Sequence, residues 1–131
     1  MAASLTRLVL FVRGTQGVHS AVNFYSKVLN LPLNRHTDTF AELSCPTSGV
    51  KLTLMATESE AKLSSGYGPF IQFSVPDMDT AVSTAAQLGA NLDGPVKFPA
   101  HGKTAVLRSP DNHMIGLYEP TDSFENISGS G

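Results

Sequence analysis

The chain has 131 residues, a formal net charge of −2 and one cysteine, Cys45. This length suits one domain that buries about two-thirds of its unfolded surface without disulfides, and the unpaired cysteine leads us to expect a reducing, cytoplasmic location. The absence of a basic stripe argues against a nucleic-acid surface, and no apolar run approaches the roughly 18 residues of a membrane span.

Strand and helix patterns succeed one another in the first half of the chain. Apolar and β-branched residues at 8–12 predict a first strand. Apolar residues then recur at helical spacing, which predicts a helix from about His19 to Asn30, and Asn30 suits a left-handed C-cap. Three further strands are predicted at 33–35, 40–44 and 50–55.

The second half repeats this order. A strand is predicted at 70–75 and a helix at about 78–88, with Asp77 as its N-cap and Gly89 as its C-cap. Three more strands are predicted at about 96–98, 104–108 and 114–119. Asn112, in the last turn, suits a positive backbone φ angle.

The repeat of one unit about 60 residues apart sets the predicted organisation. We expect a single domain at 1–120, with module one at about 5–56 and module two at about 69–120. The polar segment at about 57–68 is rich in serine and glycine and is predicted to link the modules. Residues 121–131 end in Ser-Gly-Ser-Gly and are predicted to form a disordered tail.

Three motifs follow one another within residues 5–120: LVLFV followed by AVNFYSKVLNLPL, then FIQFSVPDMDTAVSTAAQLGANL, then SPDNHMIGLYEP. Together they resemble the vicinal-oxygen-chelate superfamily, which includes glyoxalase I, the bleomycin-resistance and fosfomycin-resistance proteins and extradiol dioxygenases. The resemblance implies an α+β fold in which two βαβββ modules form an open barrel. It also implies a homodimer with clefts at or near the subunit interface.

Metal enzymes of this superfamily hold a divalent ion with His, Gln or Glu at up to four places. The matching positions of this chain are Arg7, Thr53, Phe70 and Gly116. None is a competent ligand, because Arg carries a permanent charge, a single Thr hydroxyl holds an ion poorly, and Phe and Gly have no donor side chain. We therefore expect no metal at the usual position and no other cofactor.

The remaining candidate ligands of an ion are His19, His36, His101, His113, Glu42 and Glu119. We expect His19, at the start of its helix, and His113, in a turn, to be exposed to solvent. His36 and His101 each precede the third strand of a module, near the rim of the expected cleft. With Glu42 they could hold a displaced ion or transfer a proton, and the alternative is a purely surface or structural role.

Strand alternation predicts which side chains face the cleft, because successive side chains point to opposite faces of a sheet. If Leu8, Leu10 and Val12 pack under the helix, the alternate positions line the hollow. The predicted ligand-binding residues are Arg7, Glu42, Thr53, Phe70, Gln72, His101, Arg108 and Tyr118. Arg7 could bind a carboxylate or an enolate-like oxygen in place of the ion, or could pair with Glu42 to satisfy its own charge.

Two functions from different classes fit these residues. The first is a metal-independent protein that binds a small, partly aromatic or carboxylated molecule in a cleft of mixed apolar and polar character. The second is a lyase, isomerase or dioxygenase that uses a displaced metal site or Arg7 as an electrostatic catalyst. A scaffold whose cleft is filled by its own side chains is a third alternative. No catalytic residue is assigned.

Overall fold

The computed structural model describes residues 2, 4–63 and 70–121. Module one runs in the order strand, helix, three strands, and a single 3₁₀ turn at Glu60–Lys62 follows it. Its elements are β1 (Arg7–Arg13), α1 (Gly14–Lys27), β2 (Leu33–His36), β3 (Phe40–Ser44) and β4 (Lys51–Thr57). The disordered tail predicted at 121–131 lies outside the described residues except for Thr121, as do residues 64–68 of the predicted linker.

Module two repeats the same order. Its elements are β5 (Phe70–Ser74), α2 (Met78–Gln87), β6 (Asn91–Leu92), β7 (Gly102–Arg108) and β8 (Met114–Pro120). Each module forms one four-stranded sheet, with strand orders β1-β4-β3-β2 and β5-β8-β7-β6. The first and last strands of each module pair in parallel, and the other pairs are antiparallel. The predicted α+β fold of two βαβββ modules is therefore confirmed.

The core follows the predicted alternation. Leu10 and Val12 of β1 are buried, and Leu52 and Leu54 of β4 are buried beside them. They pack beneath the apolar stripe of α1, of which Val18 is one member. Because each sheet has a helix over one face only, every strand presents its other face away from the core.

Several predicted caps and turns are confirmed. Asn30 and Asn112 have φ angles of 55° and 66°, and Gly89 has a φ of 91°. The Asp77 side chain accepts a hydrogen bond from the Thr80 amide at 3.2 Å, which is the geometry of an N-cap. Short polar side chains and glycine at helix ends and tight turns are thus reliable local signals.

Two element boundaries were predicted wrongly. Helix α1 begins at Gly14, one turn and a half before His19, so His19 lies inside the helix. The strand expected at 96–98 is reduced to one bridge between Lys97 and Thr104, and the edge strand β6 lies earlier in the chain. Prolines at 95 and 99 explain this, because neither can donate a backbone hydrogen bond to a neighbouring strand.

The first turns of α1 pack against the second module. Gly17 is buried, and a Cβ atom at this position would lie 3.1 Å from the Val12 Cβ and 3.2 Å from Asp111 Oδ1. The turn between β7 and β8 therefore approaches α1 closely because Gly17 has no side chain. A second contact joins the Tyr25 ring of α1 to the Phe73 ring of β5, with 6.4 Å between ring centres.

Polar groups are buried at this junction. His113 is 3 % exposed, so the prediction that it would be solvent-exposed is wrong. Within the described residues, His113 Nδ1 and the Tyr25 hydroxyl have no hydrogen-bond partner. Burial lowers the pKa of His113 and raises that of Tyr25. Burial also raises the pKa of the Asp111 carboxyl to about 6, because the charged form loses hydration.

The described residues contain no helix with the length and hydropathy needed to cross a membrane.

We expect Asp111→Asn to stabilise the protein at neutral pH. The pKa of the carboxyl rises from 3.8 to about 6 on folding, so stability falls as pH rises through this window and stays lower above it. Since the side chain keeps some exposure, we expect a gain of about 1–2 kcal/mol at pH 8 that shrinks towards pH 4. Urea unfolding of the wild type and the variant between pH 4 and pH 8 measures this difference in unfolding free energy.

The lowered pKa of His113 acts in the opposite direction, but it is common to both proteins and cancels in their difference. A difference in unfolding free energy that does not change with pH, or a variant that is less stable at pH 8, would contradict the assignment of a buried, uncompensated carboxylate.

Candidate ligand-binding site

We call the side of each sheet that faces away from its helix the open face. On module one it includes Arg7, Val9 and Phe11 of β1, Arg35 of β2, Phe40, Glu42 and Ser44 of β3, and Lys51, Thr53 and Met55 of β4. On module two it consists of Phe70, Gln72 and Ser74 of β5, Thr104, Val106 and Arg108 of β7, and Met114, Gly116 and Tyr118 of β8. The structure thus divides the predicted site residues into two groups, one on each module.

Arg7, Glu42 and Thr53 form a bonded cluster on the open face of module one. Arg7 Nη1 lies 2.7 Å from Glu42 Oε1, and the same nitrogen donates a hydrogen bond to Thr53 Oγ1. Glu42 of β3 and Thr53 of β4 are register partners on adjacent strands. Both therefore lie beside the Arg7 guanidinium. The pairing of Arg7 with Glu42, one of the two predicted alternatives, is therefore present.

Glu42 is held as a carboxylate in this cluster. The hydrogen bond from Arg7 is the main cause that lowers its pKa, followed by the hydrogen bond that Asn34 donates to Oε2 at 3.3 Å. Asn34 also donates to Ser44 Oγ at 2.6 Å. Sequence reasoning missed Asn34, because β2 has a register shift between Leu33 and Arg35 that simple alternation does not predict.

These contacts involve only one of the three guanidinium nitrogens of Arg7. Both of its hydrogen bonds involve Nη1, and 45 % of the side chain is exposed. Within the described part of the chain, the edge formed by Nε and Nη2 makes no hydrogen bond. This edge has the fork geometry that binds a carboxylate through two parallel hydrogen bonds. Lys51 lies close enough to Glu42 to lower the pKa of this carboxyl further, so a second cation lies beside the carboxylate.

Phe70 and Gln72 belong to a separate cavity on module two. This cavity has a volume of about 350 Å³, and its remaining lining comes from β7 and the loop that precedes it. Those residues are Asp93, Gly94, Pro95, Lys97, Thr104, Ala105 and Val106. Thr104 and Val106 lie on the same face of β7 as Arg108, four and two residues earlier in the strand. Strand alternation could therefore have identified them.

The Phe70 ring covers Gly116. A Cβ atom at Gly116 would lie 2.9 Å from Phe70 Cζ, so only glycine permits the ring to adopt this position. Phe70 is nevertheless 53 % exposed, so its ring presents apolar surface to solvent.

The other predicted site residues lie at the margins of the open face of module two. The Tyr118 hydroxyl donates a hydrogen bond to the backbone oxygen of His101 at 3.0 Å. Arg108 Nε lies 3.2 Å from Asp93 Oδ2, and Arg108 Nη1 donates to the Asn112 backbone oxygen at 3.3 Å. These contacts tie Arg108 and Tyr118 to the loops around β7.

The positions that the resemblance matches to metal ligands do not fit a divalent ion. Arg7 is a permanent cation bonded to Thr53, and the Phe70 ring occupies the space over Gly116. In the parts of the chain that are described, no group of three or more His, Cys, Asp or Glu side chains could hold an ion. His36, Glu42 and His101 are thus not gathered into the displaced site that was considered as an alternative.

Comparisons with known proteins agree with this architecture. The chain is similar to a glyoxalase/bleomycin resistance protein/dioxygenase family enzyme from Burkholderia phytofirmans PsJN, with a TM-score of 0.73, 20 % identity, and coverage of 91 % of this chain and 100 % of that one. It is also similar to a genomically encoded fosfomycin resistance protein from Listeria monocytogenes, with a TM-score of 0.71, 17 % identity, and coverage of 92 % and 96 %.

A third similar structure is an antibiotic binding protein from Streptomyces sp. CB03234, with a TM-score of 0.67, 20 % identity, and coverage of 92 % of this chain and 99 % of that one. No curated protein matches the sequence. The sequence profile of one family matches residues 7–117, from the first residue of β1 to the middle of β8. The chain therefore belongs to the Glyoxalase/Bleomycin resistance protein/Dioxygenase superfamily.

Proposed function

We propose that this protein is a metal-independent binding protein for a small molecule that carries a carboxylate and an aromatic or other flat apolar group. The observation that carries the proposal is the half-exposed Arg7, held through Nη1 with its Nε and Nη2 edge available, at a position where the superfamily places a metal ligand. A cytoplasmic location is part of this proposal.

Arg7 supplies the anion-binding group. Glu42 and Thr53 fix one nitrogen of the guanidinium, so the plane of the side chain is oriented before a ligand arrives. Pre-orientation reduces the entropy lost on binding. Glu42 neutralises part of the charge, but Lys51 beside it leaves the cluster with two cations and one carboxylate. A ligand carboxylate would offset part of the remaining positive charge.

Phe70 and Gln72 supply the rest of the recognition surface. The exposed Phe70 ring suits the flat part of a ligand, and the Gln72 amide and the Thr104 hydroxyl at the same cavity offer directional hydrogen bonds. The antibiotic binding protein and the fosfomycin resistance protein of similar fold are precedents for small-molecule function in this architecture.

The proposal includes a homodimer that brings unlike open faces together. Large apolar side chains are exposed on both faces: Val9 and Met55 on module one are each 42 % exposed, and Phe70 on module two is 53 % exposed. Exposed apolar side chains near a polar cluster are typical of a surface that a partner covers. We propose that module one of one protomer and module two of its partner enclose each ligand.

Ligand binding should depend on the charge and fork of Arg7. We expect benzoate to bind and benzamide, its neutral counterpart, to bind at least tenfold more weakly, as measured by isothermal titration calorimetry. Because a hydrogen-bonded charge pair is worth about 1.5–3 kcal/mol, Arg7→Ala and Arg7→Gln should each weaken benzoate binding about 10-fold to 100-fold. Lys27→Ala, which removes a cation from the end of α1, is the matched control.

Equal affinity of the Arg7 variants and the wild type for benzoate would remove Arg7 from the binding site.

A charged residue at Phe70 should disrupt the dimer. Phe70→Glu places a carboxylate in the proposed apolar contact, so we expect light scattering to give the mass of a monomer where the wild type gives that of a dimer. Leu33→Glu is the control, because Leu33 is similarly exposed at 44 % but lies on the edge strand β2. A wild-type chain that is monomeric at micromolar concentration would contradict the dimer without affecting the prediction for Arg7.

A further inference from the structure

Two exposed histidines come together on the surface of module one. His19 lies on α1 and His36 at the end of β2, and the centres of their rings are 5.9 Å apart with 34° between the ring planes. The pair is remote in sequence, so it exists only in the folded module.

The pair lies on the helix side of the sheet, away from the open face. His36 is in register with Ala41, whose side chain is fully buried beneath the helix, and the next residue of β3, Glu42, points to the opposite face. An ion or ligand bound between the two histidines would thus be separated from Arg7 by the thickness of the sheet.

The distance between the rings suits shared coordination. With metal–nitrogen bonds of about 2.1 Å, two imidazoles that bind one ion at a tetrahedral angle have ring centres about 5 Å apart. The observed 5.9 Å is within reach of small side-chain rotations, which both residues can make because they are exposed.

We propose that His19 and His36 form a binding site for a single transition-metal ion such as Zn²⁺, Ni²⁺ or Cu²⁺. Neutral imidazole prefers these ions, whereas Mg²⁺ and Ca²⁺ prefer oxygen ligands. The described residues offer no third His, Cys, Asp or Glu ligand to form a larger group, so water completes the coordination shell. The site is open and exchangeable.

An ion at this site would connect α1 to the exposed edge strand β2. Strand β2 has four residues, all exposed, lies at the edge of the sheet and contains a register shift. Since the two ligands are brought together only by folding, metal binding stabilises the native module. At a free metal concentration ten times the dissociation constant, the ratio of folded to unfolded protein would rise about elevenfold.

Calorimetric titration of the full chain with ZnCl₂ tests the proposal. We expect one ion per chain, and a loss of at least tenfold in affinity in both His19→Ala and His36→Ala, because each variant removes one of two protein ligands. Gln16→Ala, which removes an exposed polar side chain one turn earlier on α1, should bind zinc as the wild type does.

Three results would overturn the proposal: no zinc binding by the wild type, binding that survives in both histidine variants, or binding that depends on only one of the two residues. Arg7→Ala distinguishes this site from the ligand site. It should bind zinc normally, so the outcome of the zinc titration is independent of whether benzoate binds near Arg7.

Discussion

Each sheet of this protein is covered by a helix on one face only, and the rest of the molecule follows from that constraint. The buried alternate residues of β1 and β4, such as Leu10 and Leu54, form the core beneath α1. The other alternate residues lie on an open face that the module itself does not cover. A two-module chain therefore has two such faces, and their polar and apolar residues determine what the protein can bind.

The cluster around Arg7 gives one of these faces its chemistry. In a metal enzyme of this architecture an ion supplies the positive charge. Here Arg7 places a guanidinium at one of the matching positions. Glu42 and Thr53 bind one nitrogen of the guanidinium, which orients the side chain, and Nε and Nη2 make no hydrogen bond within the described residues. On the other module, the Phe70 ring lies over Gly116, so aromatic surface takes the place of another potential ligand position.

The repeated strand and helix order, the caps at Asn30, Asp77 and Gly89, and the period-two alternation along the strands could be predicted from sequence. These features depend on local conformational preferences or on the pleat of a single strand. Contacts between distant segments could not be predicted in the same way. The close approach of Asp111 to Gly17 and the burial of His113 are examples, because both involve the turn between β7 and β8.

The candidate site shows the same division. Alternation correctly placed Arg7, Glu42 and Thr53 on one face, and the resemblance drew attention to Arg7. The role of Asn34 depends on the register shift in β2, and the pairing of His19 with His36 depends on where α1 lies relative to β2. Neither can be read from spacing along the chain, because each depends on contacts between segments that are separate in sequence.

The most direct test of a metal-independent site built on Arg7 is a benzoate titration in the presence of EDTA, followed by ¹H–¹⁵N NMR of the arginine side chains. We expect the Arg7 Nε–H resonance to shift and to saturate with benzoate although all divalent ions are chelated. Benzoate binding that disappears with EDTA and returns on addition of a divalent metal would contradict it.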